Sequence, residues 1–244
     1  MPEQTGGDTQ PEVALPHEID HSHADVTGGW LRAATFGAMD GLVSNTALIA
    51  GVAASAGAQT VVLSGVAGLL AGAFSMALGE YTSVTTANEQ LDSEVRAERL
   101  AFERHPHAEQ VELVAMLMDM GMTEPTARAA AEEIHLDEDK AVHFHITQEL
   151  GVDPREKPSA MVAAVSSFLL FAIGAIVPLL PYLLGAESLW PGLVCGGAGL
   201  LVAGAVAARF TKGSLWFGAG RQLAFGVVAI AATYTVGKLI GTVV

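Results

Sequence analysis

"VVLSGVAGLLAGAFSMALGEYTSVTTANEQLDSEVRAERLAFERH", residues 61–105, passes from an apolar run into an acidic one with no glycine or proline after Gly79 until Pro106. The first part is long enough to cross a bilayer, which takes about 20 residues. The second keeps a helical pattern while gathering charge, so one helix is expected to leave the membrane and continue into water. Four more apolar runs flank it, near 30–54, 159–184, 189–209 and 217–241, with this one counted from 60 to 84. The expected fold is all-α: a polytopic membrane protein of five transmembrane helices, with a helical insert between spans 2 and 3. The expected divisions are an acidic tail over 1–28, spans 1 and 2 over 29–84, the insert over 85–158 and spans 3–5 over 159–244.

Charge follows these divisions. Of 26 acids, 17 fall in residues 85–158 against 7 of the 12 Lys and Arg, and the first 28 residues hold six acids and no base. An acidic insert excludes nucleic acid and anionic lipid as its partners and suits cations. The tail lacks a basic region followed by an apolar stretch, so it reads as disordered rather than as a signal peptide. Arg32, Arg155, Lys157, Arg209, Lys212 and Arg221 all fall on one side if the N-terminus is cytoplasmic and the C-terminus outside. Lys238 is the exception and is placed to snorkel. Trp30, Trp190 and Trp216 stand at span starts, where an amphipathic indole fits the interface. Membrane lipid is thus a partner of the apolar surface.

Small residues recur four apart at Gly37/Gly41, Gly68/Gly72, Gly192/Gly196 and Gly237/Gly241, the spacing that lets helices approach closely within or between subunits. Pro178 and Pro181 are expected to bend or end span 3, and Cys195 to pack as a small apolar residue. In the insert, the long helix should end near Pro106 and a second run over 107–120 to Gly121. Thr123 should cap a third with Pro125 in its first turn, and a fourth should run from Asp137 to Gly151.

Depth counting brings candidate chemistry together. Asp40 lies ten residues inside span 1, roughly 15 Å in at the helical rise; Met76 lies about 12 Å in from the same side on span 2. Glu80 is one turn nearer the insert on the face of Met76. Two carboxylates and a thioether along one path suit a borderline-soft divalent ion such as Fe²⁺, and a carboxylate there can exchange a proton for a metal. The plainer alternatives are an Asp40 bonded to Ser44 or Asn45, a Met76 that only packs and a Glu80 at a solvated helix end. In the insert, helical spacing pairs Glu94 with Glu98, Glu109 with Glu112 and His145 with Glu149, metal-ligand types that are equally ordinary on wet helices. Glu132 and His135 form one Glu-x-x-His; a di-iron carboxylate enzyme needs two, and no second copy occurs. His21 and His23 in the tail are loose candidates at most.

DGLVSN at 40–45, SMALGEYTS at 75–83 and QELGV at 148–152 resemble the vacuolar iron transporter family over nearly the whole chain. The resemblance implies a homodimer that moves Fe²⁺, and in some members Mn²⁺, out of the cytosol in exchange for protons, along a path at the dimer interface. It implies that Asp40 and Met76 line that path, which depth counting runs past Glu80, and that Glu98, Glu109, Glu112 and Glu149 belong to a cytoplasmic metal-binding domain. His145 stands where plant members carry a methionine, as in bacterial members, which together with the short acidic tail points to a bacterial inner membrane, a vacuolar membrane being the alternative. Gly68 and Ala101 replace glutamates of the family pattern, with Glu94 or Glu103 as substitutes for the second. Zn²⁺ is a further ion this donor set would bind. The expected function is a proton-coupled Fe²⁺ exporter and not an enzyme; the alternative is a membrane-anchored metal sensor or storage adaptor that binds without transport.

Overall fold

The computed structural model describes residues 29–241, and the acidic tail with His21 and His23 lies outside them. Among the described residues every regular element is helical: α1 (Gly29–Ala53), α2 (Ala58–Arg104), α3 (Pro106–Asp119), α4 (Glu124–Ile134), α5 (Glu138–Leu150), α6 (Ala160–Leu183), α7 (Leu189–Phe210) and α8 (Leu215–Gly241). Five of them, α1, α2, α6, α7 and α8, are long and apolar enough to cross a membrane.

α1 is the hub of these five and packs against all four others. The close approaches give the direction of each helix. Gly37 faces the carbonyl of Ser167 and Gly41 that of Phe171, so α6 runs parallel to α1. Gly51 faces Thr233 and Gly241 faces Ser55, which makes α8 parallel as well. Gly68 lies against Asn45 and Leu48 while Val84 packs with Ala33, so α2 is antiparallel. Gly196 against Thr46 and Gly199 against Leu42 set α7 antiparallel too. The start of α1 and the end of α8 therefore lie at opposite ends of the bundle, and the acidic half of α2 projects beyond the end where α1 begins.

Glycine is needed where these backbones meet. A Cβ on Gly174 would strike the carbonyl oxygen of Ala38, and one on Gly237 that of Gly51. Polar side chains then bond across the gap. Asn45 Nδ2 donates to Ala175 O at 2.5 Å, and Thr233 Oγ1 to Ala47 O at 2.8 Å. Interhelical bonds of this kind are worth about 0.6–2 kcal/mol each in a bilayer. Pro178 and Pro181 sit inside α6, which runs on to Leu183 before Gly185 turns the chain at φ +96.

The insert is built on α2, whose 47 residues run unbroken from bundle to insert. α3 begins with Pro106 at its first position and ends before Gly121 at φ +99. Thr123 precedes α4, but its hydroxyl meets that of Thr126 at 3.0 Å instead of capping the backbone. Asp137 caps α5 by accepting from Lys140 N, and Gly151 closes it in the left-handed region at φ +67. Two small cores hold the unit. Leu113, Val114 and Leu117 of α3 pack with Ala127 and Ala131 of α4, and Phe102 of α2 packs with Ala141, Val142 and Ile146 of α5. Asn88 donates to Pro158 O at 3.0 Å, and Lys157 pairs with Asp92, tying the return strand of chain to α2.

A side chain at Gly174 should therefore damage the bundle. Overpacking of this kind costs about 1–3 kcal/mol, so Gly174→Leu should lower the melting temperature of the purified chain in detergent. Gly220→Ala, where a Cβ meets nothing within 4 Å, should leave it within error. Equal melting of both variants would refute the α1–α6 contact.

Candidate metal site

The long helix α2, the start of α3 and the end of α5 converge on one histidine. His145 is fully buried, and its Nδ1 faces three carboxylates: Glu98 Oε1 at 3.1 Å, Glu149 Oε1 at 3.7 Å and Glu109 Oε2 at 3.8 Å. α2 contributes Glu98, α3 contributes Glu109, and α5 contributes both His145 and, one turn on, Glu149. Neither ring nitrogen of His145 has an aligned hydrogen-bond partner, nor does the buried Oε1 of Glu98. Burying such groups unpaired costs about 1–3 kcal/mol each. Donors about 2.0–2.2 Å from one ion stand roughly 3–3.5 Å from each other, close to the spacing found here. Glu98, Glu109 and His145 in particular bring one ligand atom each within 4.8 Å of one another.

Electrostatics point the same way. The Glu98 carboxyl is pushed up to about 7, first by burial and then by the carboxylates of Glu149, Glu109 and Glu112. Burial and Glu112 also raise Glu109, with His105 and His135 opposing, and burial with Glu112 and Glu109 raises Glu149. His145 is pulled down to about 4 by burial and by His135, so its ring is neutral and able to ligate. A divalent cation would relieve the repulsion among the acids and give the imidazole its partner at once.

The other sequence candidates fall in different places. Glu112 is exposed but near enough to raise all three glutamates that face His145. Glu94 is exposed, one turn from Glu98 and outside the cluster. Glu132 points to solvent, whereas its Glu-x-x-His partner His135 turns inward beside His145, a tertiary contact that sequence spacing does not reveal.

In the bundle, Asp40 is half-buried on α1 and no described residue bonds to its carboxylate. Ser44 donates to its backbone carbonyl at 2.6 Å and Asn45 to α6, so neither holds the side chain as the plainer alternative supposed. Met76 lies against the Ala73–Phe171–Ala175 cluster. Phe171 meets both Gly41 of α1 and Gly72 of α2, which puts Asp40 and Met76 within about a turn of the same level. Glu80 is buried and pairs with Arg32 Nη2 at 3.2 Å, so it is not a solvated helix end. The sequence marks Arg32 only as one of the basic residues that set orientation, whereas the packing makes it the partner of a buried acid. Gly68 lies against Leu48 and Asn45, space that a larger side chain would have to reclaim.

Comparison with known proteins places these features. The VIT family profile matches residues 31–238. A vacuolar iron transporter of Acanthamoeba castellanii is 34% identical over 220 residues, covering 87% of this chain and 79% of that protein. Vacuolar iron transporter 2 of Oryza sativa subsp. japonica is 27% identical over 92% of this chain and 93% of its own. Vacuolar iron transporter homolog 1 of the same plant is 36% identical over 87% and 74%.

Because a carboxylate ligates only when ionised, the site should open as pH rises through about 7, while His145 adds no proton competition above about 4. From Glu98 alone, affinity of the full chain for a Mn²⁺ probe should fall about tenfold from pH 8 to pH 6; a flat profile would contradict the site. The metal-free protein has the opposite preference. A raised folded-state value means that this contribution to stability is present below the ordinary glutamate range and is lost as pH rises through about 7. Glu98→Gln should therefore raise the melting temperature of metal-free protein at pH 8, change it little near pH 5, and weaken Mn²⁺ binding.

Proposed function

The chain belongs to the VIT family, and on that premise we propose that it is an iron transporter, carrying Fe²⁺ through its helical bundle in exchange for protons. It is a multi-pass membrane protein with five candidate spans, and the relatives whose names state an activity are transporters rather than enzymes. The observation that carries the proposal is the buried His145, unpartnered at both ring nitrogens and faced by Glu98, Glu109 and Glu149.

α2 supplies the connection between the insert and the bundle. Glu80 and Glu98 are 18 residues apart on this one helix, five full turns at 3.6 residues each, so they share a face about 27 Å apart. In the proposed sequence the insert, on the cytoplasmic side, collects Fe²⁺ at the His145 cluster. The ion then reaches Glu80, displacing the Arg32 guanidinium, and passes to Met76 and Asp40. Protonation of the Asp40 carboxylate from the far side releases it. The N-terminus is then cytoplasmic and the C-terminus outside. Mn²⁺, with the same charge and a taste for carboxylate and imidazole, is a second substrate under this proposal. Half-exposure of Asp40 on the flank of a single bundle favours a homodimer whose two copies close the path, with Leu70, Phe74 and Leu78 of α2 exposed on the apolar surface available for it.

Reconstituted into vesicles with an internal pH dye, the wild-type chain should move Fe²⁺ with a matching pH change. Asp40→Ala should lose at least tenfold of both, about 1.4 kcal/mol or more in the barrier, while eluting like wild type. Normal flux in Asp40→Ala would refute the path, and binding without any wild-type flux would favour the sensor or storage role.

A further inference from the structure

His135 belongs to no ligand set above, yet its position complements a defect in the site. At the C-terminal end of α4 its Nδ1 lies 2.9 Å from the carbonyl oxygen of Ala131. A carbonyl only accepts, so Nδ1 carries the hydrogen and the neutral ring keeps its lone pair on Nε2. That Nε2 is buried and has no donor. The His145 ring is its neighbour, 5.7 Å away between centroids and inclined at 78°. Phe102 braces both rings, stacked on His135 at 5.1 Å and edge-on to His145 at 5.0 Å.

His145 presents the matching need. If Nδ1 gives its lone pair to an ion held with Glu98, Glu109 and Glu149, the neutral ring must carry its hydrogen on Nε2. That nitrogen too is buried and unpartnered. One orphaned nitrogen is therefore a donor and the other an acceptor, on adjacent rings. A ligating histidine gives its other N–H to a fixed acceptor, which sets its tautomer and orientation. We propose that His135 is the positioning residue of the metal site: when an ion binds, the two unpartnered nitrogens join, His135 Nε2 accepting the Nε2–H of His145 and holding that ring with the Nδ1 lone pair toward the ion. The proposal rests on the metal-binding role given to His145 above. It explains why an insert helix with no ligand of its own is packed against the site.

The test uses the full chain in detergent micelles, labelled with ¹⁵N at histidine, with Zn²⁺ as a diamagnetic probe. Expected spectra show His145 bound through Nδ1 and protonated at Nε2, and His135 protonated at Nδ1 and free of metal. His135→Phe keeps a ring on Phe102 but removes the acceptor, and should weaken Zn²⁺ binding about 10–100-fold with helix content unchanged. His135→Gln restores an acceptor and should recover most of that loss. Unchanged binding in His135→Phe, equal loss in both variants, or Zn²⁺ bound at His135 itself would each overturn the proposal. A wild-type chain that binds no Zn²⁺ would instead refute the metal site itself, whereas unchanged binding in His135→Phe refutes only the positioning role.

Discussion

Three carboxylates converging on one buried imidazole are the constraint around which the insert is arranged. Like charges at this separation repel, and burial strengthens the repulsion by removing the water that would screen it. The small cores of Leu113, Val114 and Leu117 against α4, and of Phe102 against α5, have to hold that cluster together. Stability is spent on a group whose repulsion either protonation or a bound cation would relieve. The rise of the Glu98 carboxyl to about 7 and the fall of His145 to about 4 are two expressions of that tension.

The unbroken α2 helix makes the cluster more than a local feature. It carries Glu98 at one end and Glu80 and Met76 within the bundle, so a single helix joins the two regions. The bundle is stiff at the matching point. α1 is locked to α6 by glycine contacts and by the bond from Asn45 to Ala175 O, which leaves the Asp40 backbone fixed while its carboxylate stays free of partners. The Arg32–Glu80 pair sits between the two regions and places an internal cation on the proposed path.

Most of the architecture was legible in the chain because it is written in local patterns. Apolar runs give the five long helices, and Pro106, Gly121, Asp137 and Gly151 mark the insert helices to within a residue or two. The glycines at four-residue spacing mark contact points, and their partners, on α6 and on or just after α1, follow only from the packing. The site was legible in part. His145 and Glu149 share a helix face, and so announce each other, but Glu98 and Glu109 reach them from other helices. The same local rule that pairs Glu94 with Glu98 leaves Glu94 in solvent, because helical spacing says nothing about which residue faces the neighbouring helix. The spacing of Glu132 and His135 does not show that His135 packs beside His145, and nothing local pairs Arg32 with Glu80, 48 residues away.

The most direct measurement is anomalous diffraction at the iron edge from crystals of the full chain grown anaerobically with Fe²⁺. The account predicts a peak within ligand distance, about 2.0–2.3 Å, of His145 Nδ1, with Glu98 and Glu109 oxygens around it. Iron bound only elsewhere, with His145 still facing bare carboxylates, would contradict it.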